Sequence, residues 1–83
     1  MTPKTNKVRN YIFNLRRNRR LLQKHLAVLL GHRHPVMVSK YENGVSLPPL
    51  ESALAIEIAL GVRLPELYPD LYQQIVVQIL KRA

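Results

Sequence analysis

The lysine and arginine residues of this 83-residue sequence are unevenly distributed, and they are the first indication of its chemistry. Residues 1–41 hold ten of them and no acid, whereas residues 42–83 hold three basic and five acidic residues, giving formal charges of +10 and −2. Ammonium and guanidinium groups concentrated in this way attract phosphate oxygens, as in nucleic-acid-binding proteins. A solvated basic face without a polyanionic partner is the alternative interpretation.

Metal-dependent and catalytic chemistry have weaker support. The histidines are His25, His32 and His34, and a His-x-His pair in a turn can ligate a metal, but the sequence has no cysteine and the surroundings are cationic. The five acids form neither a carboxylate pair nor a nucleophile–base arrangement. We therefore expect no metal, no cofactor and no enzymatic activity.

Length and hydropathy limit the organisation of the chain. Eighty-three residues suffice for one hydrophobic core but not for a second, ligand-sensing domain, so we expect no small-molecule ligand. The apolar runs are far shorter than the ~20 residues of a membrane span. The basic amino terminus lacks the apolar run of a signal peptide. A cytoplasmic protein that does not bind membranes is expected.

Two short helices joined by a tight connection are predicted between Leu21 and Gly44. Apolar residues recur at three- and four-residue steps over residues 23–30, which is the spacing of one helix face. Those residues are Leu22, Leu26, Leu29 and Leu30. Gly31 is expected to end this helix, because glycine takes the left-handed conformation at little steric cost.

The second of these helices is predicted from near Pro35 to Asn43-Gly44. Proline suits the first turn of a helix, where its missing N–H would have no helical partner. The side chains expected to face the core are Met37, Val38 and Tyr41. The outward face is expected to comprise Pro35, Val36, Ser39 and Lys40.

Together these two segments resemble the helix-turn-helix of the lambda-repressor and Cro-like (XRE-type) family of transcriptional regulators. The matching residues are Leu21, Gln23, Leu26, Ala27, Leu30, Gly31, Val38, Ser39, Lys40, Tyr41, Glu42, Asn43 and Gly44. The resemblance continues to Tyr68 and covers residues 11–68. It implies an all-α bundle of five to six helices that binds DNA.

Three features depart from the family pattern. The turn between Gly31 and Val38 is one residue longer than is common, which is expected to displace the start of the second helix. Arg20 stands where many relatives have a helix-terminating glycine. Glu57 stands where many have a buried alanine, and a buried carboxylate is expected to need a cationic partner.

The resemblance also implies which residues contact DNA. Lys40 is expected to donate to guanine O6 or N7 in the major groove, and Val36 to pack on a thymine methyl group. Gln23 is expected to donate to the DNA backbone at the start of its helix. The full expected DNA-binding set is Gln23, Lys24, Arg33, His34, Pro35, Val36, Ser39, Lys40 and Asn43. By the same resemblance, Arg16 and Glu42 form a structural ion pair.

The flanking helices are predicted from their apolar stripes. The first, over residues 10–19, is expected to bury Ile12, Leu15 and Tyr11. The fourth, over residues 50–60, is expected to bury Leu50, Leu54 and Ile58, with Ala53 and Ala55 in close packing. A short fifth helix is expected over residues 65–68.

We expect three segments: a flexible basic arm over residues 1–9, a helix-turn-helix domain over 10–68 and a carboxy-terminal helix over 69–83. The basic side chains of the arm, which are Lys4, Lys7 and Arg9, either reach DNA or belong to a disordered tail. The apolar stripe of the last helix includes Leu71, Ile75 and Ile79. Three interpretations of this stripe are open: it packs on the domain's own core, it pairs with a second subunit, or it binds a partner protein. The homodimer is favoured, because a single module has few base contacts and dimeric binding multiplies them. Such a dimer would place two recognition helices about one DNA turn apart, ~34 Å.

These observations predict a sequence-specific, double-stranded DNA-binding transcriptional regulator, taken to be a dimeric repressor that recognises a palindromic operator through residues 35–43. Affinity is expected from the basic half and specificity from residues 33–40. Two alternatives remain open. One is the antitoxin of a toxin–antitoxin pair, which binds its toxin and autoregulates its operon. The other is a nucleic-acid-binding protein without sequence preference.

Overall fold

A computed structural model describes residues 7–83 of the chain. Over this range it contains six α-helices and no strand, which confirms the expected all-α bundle. The helices are α1 (Ile12–Asn18), α2 (Gln23–Leu29), α3 (Val36–Glu42), α4 (Leu50–Leu60), α5 (Leu64–Leu67) and α6 (Pro69–Arg82). None of these helices is long and apolar enough to cross a membrane.

A single hydrophobic core joins α1 to α5. Its buried side chains are Ile12, Leu26, Ala27, Val38, Tyr41, Ile56, Leu60, Leu67 and Tyr68. Burial of a large aliphatic side chain stabilises a fold by about 1.5–3 kcal/mol, so these residues supply most of the driving force that fixes α2 and α3 side by side. The last helix, α6, contributes no buried residue and only partly buries Leu71 against this core.

The end of α2 is closed by a Schellman motif. Gly31 has a φ of +82° and donates to the carbonyl of Val28 at 3.0 Å, and His32 N–H donates to Ala27 O at 2.8 Å. The predicted inward face of α2 was partly wrong. Leu26 and Ala27 are buried and Leu30 packs on the core, but the expected core residues Leu22 and Leu29 are exposed. Successive residues turn by about 100°, so Leu29 and Leu30 cannot both face the core.

The predicted inward face of α4 was also wrong. Leu50, Leu54 and Ile58 lie on the exposed side, where Ile58 is 82% exposed, whereas Ile56 and Leu60 are buried. Only Glu51, Ser52 and Glu57 are polar in this helix, so apolar side chains surround its axis and the pattern does not select a face. Tertiary packing makes that choice, and it leaves an apolar stripe outside.

Two of the departures from the family pattern have structural explanations. Arg20, with φ of +56°, is the only non-glycine residue of the described range in a positive-φ conformation, as expected at a position where relatives carry glycine. Within residues 7–83 Glu57 forms no ion pair with a cationic side chain, contrary to expectation. Its Oε2 instead accepts a hydrogen bond from the N–H of Leu64 at 2.6 Å, which satisfies a free donor at the start of α5.

The segment before α1 is tied to the bundle at several points. Val8 N–H donates to Gly44 O at 3.0 Å and its side chain packs on the core, so the expected flexible arm is wrong at this residue. Tyr11, expected to be inward, is exposed, and its N–H donates to Leu67 O at 3.0 Å. Residues 1–6 of the expected arm, including Lys4, lie outside the described residues.

Candidate nucleic-acid interface

The outward face of α3 is formed by side chains spaced three and four residues apart. Val36, Lys40 and Asn43 are exposed, and Ser39 between them is partly exposed. On the opposite side Val38 and Tyr41 are buried, which anchors the helix through its inner face. Among the described residues, the only side-chain hydrogen bond within this outward face joins Asn43 Nδ2 to Ser39 Oγ at 3.4 Å, so the stripe is free to contact a ligand.

The connection between α2 and α3 presents two further expected residues. Arg33 and His34 are both exposed, and Pro35 is the residue that caps α3, one position earlier than its expected place in the first turn. His32 points inward instead, and its Nε2 is buried without a hydrogen-bond partner among the described residues. The longer connection is therefore accommodated by placing one histidine inside and the next two side chains outside.

A buried ion pair joins α1 to the carboxyl end of α3. Arg16 Nε donates to Glu42 Oε2 at 2.5 Å and Nη2 donates to Oε1 at 3.3 Å, and the two side chains are only 5% and 4% exposed. Arg16 Nη1 also donates to Leu21 O at 2.7 Å. The two-pronged geometry fixes both the position and the orientation of α3 relative to α1.

Gln23 is drawn into this network. Its Nε2 donates to Glu42 Oε1 at 2.9 Å, which uses one of its two N–H groups, and the expected bond of this amide to the DNA backbone stays a prediction for the other. This bond brings the start of α2 next to the end of α3, and the following residue, Lys24, is exposed. This hydrogen bond could have been predicted from the sequence, because the Glu42 carboxylate still has free lone pairs when it is paired with Arg16.

His25 has a structural role that residue chemistry alone did not reveal. Its Nδ1 accepts a hydrogen bond from the N–H of Leu22 at 3.2 Å, so the side chain caps the start of α2. No group of three or more His, Cys, Asp or Glu residues that could hold a metal ion occurs within residues 7–83.

The comparison with known proteins agrees with this geometry. A helix-turn-helix family model matches residues 12–67, which run from the first residue of α1 to the last of α5. The chain belongs to the lambda-repressor/Cro-like helix-turn-helix family. No curated protein and no solved structure matches the chain significantly. The protein is therefore a DNA-binding helix-turn-helix regulator, of a family that is not typically enzymatic.

Charge is distributed in this helix-turn-helix regulator as a DNA-binding surface requires. Across α1 to α3 the only carboxylate is Glu42, and Arg16 neutralises it. Lys24, Arg33 and Lys40 remain exposed on the two helices and their connection. The other four acids lie on α4 to α6. The α2–α3 surface is thus cationic without a competing carboxylate.

Proposed function

We propose that this regulator is a dimeric transcriptional repressor that inserts α3 into the major groove of a palindromic operator. The observation that carries the proposal is the outward stripe of α3, which is accessible and flanked by cations, while a buried ion pair fixes the helix from behind. A rigidly held helix can align donors with base edges without a large entropic cost. Binding would exclude RNA polymerase from an overlapping promoter.

Each exposed residue has a role suited to its chemistry. Lys40 donates to guanine, Val36 contacts a thymine methyl group, and Ser39 donates or accepts. Arg33 and His34 bind phosphates or a base at the edge of the half-site, with Pro35 setting the start of the helix. Lys24 binds the DNA backbone independently of sequence. Gln23 holds Glu42 through one N–H of its amide and donates the other to the DNA backbone.

The dimer proposal is supported by α6. Leu71 is partly buried against the core, but Ile75 and Ile79 are 44% and 56% exposed in the single chain. They continue an apolar cleft of about 260 Å³ lined by side chains of the α3–α4 loop, α4, α5 and α6. Pairing with a second copy would remove this surface from water and would give two recognition helices related by two-fold symmetry.

The decisive experiment is selection of bound sequences from a random double-stranded DNA pool at near-physiological salt. We expect a palindrome whose half-sites are about ten base pairs apart. Binding that fades with salt and enriches no sequence would overturn the proposal and favour a non-specific nucleic-acid-binding protein.

The α3 assignment is tested by comparing two lysine variants on the selected operator. Lys40→Ala should relax preference at one position per half-site and cost about 1–3 kcal/mol there, whereas Lys24→Ala should weaken all sequences alike. An equal loss on every sequence for both variants would show that Lys40 does not contact a base.

The dimer is tested by the double variant Ile75→Asp with Ile79→Asp. We expect a folded monomer with weaker operator binding, because two carboxylates would be placed in the apolar interface. Val77→Asp is the matched control, since Val77 is also exposed but lies on the opposite side of α6. An unchanged mass in solution for the double variant would exclude α6 as the dimer interface.

A second function is supported by the outer stripe of α4. Leu50 and Ile58 are 72% and 82% exposed, which is an unusual amount of aliphatic surface for a chain of this size. A partner protein such as a toxin would cover it, and the chain would then be an antitoxin that also represses its own operon. Co-expression with the product of an adjacent gene tests this, because a stoichiometric complex would support it and separate elution would not.

A further inference from the structure

The segment immediately before α1 crosses the carboxyl end of α3. Val8 N–H donates to Gly44 O at 3.0 Å, and Asn10 Nδ2 donates to Tyr41 O at 2.9 Å and to Val8 O at 3.2 Å. We call residues 7–10 the amino-terminal strap. These bonds hold a stretch with two basic residues, Lys7 and Arg9, at the end of the recognition helix.

Gly44 makes this close approach possible. Its φ is +74°, and a Cβ atom placed there would lie 2.5 Å from Val8 O and 2.8 Å from Val8 N. Both neighbours are backbone atoms, which cannot rotate away as the end of a side chain could. The strap is therefore packed against the backbone after α3 at a distance that only glycine permits.

The strap and the end of α3 border an open concavity of about 340 Å³. Its lining residues are Lys7, Val8, Arg9, Asn10, Glu42 and Asn43. Glu42 is neutralised by Arg16, and Arg9 makes an exposed ion pair with Asp70 at 3.7 Å. Lys7 has no ion-pair partner within the described residues. The concavity thus has a net positive charge.

The end of a helix normally repels anions, because its last carbonyl groups point outward. Here two of those carbonyl oxygens already accept hydrogen bonds. Lys40 O accepts from the N–H groups of Val45 and Ser46 at 3.0 and 3.3 Å, and Tyr41 O accepts from Gly44 N and Asn10 Nδ2. The carbonyl oxygens of Lys40 and Tyr41 are therefore paired, and the concavity beside them is lined by the basic side chains of Lys7 and Arg9.

We propose that this concavity binds one phosphate of the DNA backbone through the ammonium group of Lys7 and the amide of Asn43. Asn43 ends the stripe that begins at Val36, so the phosphate would be the one next to the base pairs contacted by α3. The inference rests on the proposed function of α3 and adds a positioning contact to it. A cation held by the fold sets the register of α3 on the duplex, which a mobile arm would not do.

The test measures the affinity of the full chain for its selected operator and for a scrambled duplex over a range of salt concentrations. Lys7→Ala should weaken both duplexes about three- to tenfold and lower the slope of log affinity against log salt by ~0.9, the value for one phosphate. Lys81→Ala is the matched control, because Lys81 is an exposed cation in the last turn of α6. It should leave the slope unchanged.

Asn10→Ala distinguishes a positioned contact from general attraction. It removes the hydrogen bonds of the strap to Tyr41 and Val8, and also the bond that Asn10 Oδ1 accepts from Ile12 N–H at 3.0 Å, but no charge. We expect a loss of affinity in the same direction as for Lys7→Ala, with folding checked by circular dichroism. If Asn10→Ala does not fold, the exposed Lys7 variant alone decides.

The outcomes separate the two proposals. If the unaltered chain binds no duplex, the proposed function fails. If it binds, but Lys7→Ala has the same slope as Lys81→Ala, the phosphate site is excluded while the function of α3 stands.

Discussion

The junction of α1, α2 and α3 and the helix α6 are held in place by different interactions. At the junction, the buried Arg16–Glu42 pair, Gln23 and Leu21 O form a polar network with defined directions. The helix α6 has no buried residue and leaves several aliphatic side chains in water. Directional hydrogen bonds fix the geometry of the recognition helix within one chain. The exposed apolar stripe of α6 favours burial against another surface, but it does not determine the orientation of that surface.

The largest expected effect comes from breaking the junction with Glu42→Ala. This variant leaves the Arg16 guanidinium buried without a counter-charge, so the free energy of unfolding should fall by ~3–5 kcal/mol in chemical denaturation. Asp70→Ala is the control, because the Arg9–Asp70 pair is exposed, with side chains 81% and 66% accessible. A loss of at most about 1 kcal/mol is expected there. Similar losses for both variants would refute the contrast.

The same comparison can be made with isoleucines. Ile56 is 1% exposed, and Ile56→Ala should lower the free energy of unfolding by about 2–5 kcal/mol. Ile79 is 56% exposed, so Ile79→Ala should have little effect on the unfolding of a monomer. If α6 forms a dimer, the effect of Ile79→Ala will instead depend on protein concentration, which unfolding curves at several concentrations would reveal.

Tyr68, at the boundary between the core and α6, predicts a pH dependence. Burial, and secondarily Tyr41, raises the pKa of Tyr68 to about 12. In the unfolded chain the Tyr68 hydroxyl ionises near pH 10. The contribution of Tyr68 to the free energy of unfolding is therefore complete below pH 10 and is lost as the pH rises toward 12. The free energy of unfolding should fall by ~2–3 kcal/mol over this range.

Unfolding measured at intervals from pH 9 to 12 would show this fall. Tyr68→Phe should remove it at little cost near neutral pH, because the hydroxyl has no hydrogen-bond partner in the described chain. An identical pH profile for both proteins would contradict the assignment.

The smallest expected effect is a gain in stability from Arg20→Gly at the end of α1. Arg20 has φ of +56°, and relief of this conformation, partly offset by the greater freedom of glycine in the unfolded chain, should raise the free energy of unfolding by about 0.5–1 kcal/mol. Arg19→Gly makes the same charge change at φ of −95° and should lower it. Thermal unfolding of the two variants should therefore shift in opposite directions.

Local patterns sufficed to predict α2, α3 and the glycine between them. Gly31 ends a short amphipathic segment, and the inner face of α3 separates clearly from its outer one, so spacing alone identifies both helices. The face of α4 could not be predicted, because apolar side chains surround that helix. The roles of Gln23 and His25 were missed for another reason. The role of Gln23 depends on Glu42, a partner that only folding brings close. His25 caps the start of α2, a role that is not considered when histidines are assessed only as metal ligands.

The hydrogen bonds of Asn10 and Tyr11 also constrain how the protein is made. The acceptors lie far along the chain, because Tyr41 follows Asn10 by 31 residues and Leu67 follows Tyr11 by 56 residues. The segment that precedes α1 therefore cannot dock while the chain is growing through α2 and α3. A chain interrupted between Gly44 and Leu67 would contain every partner of the strap but would lack the acceptor of the Tyr11 N–H, so the strap can meet the end of α3 before α1 is tied to α5.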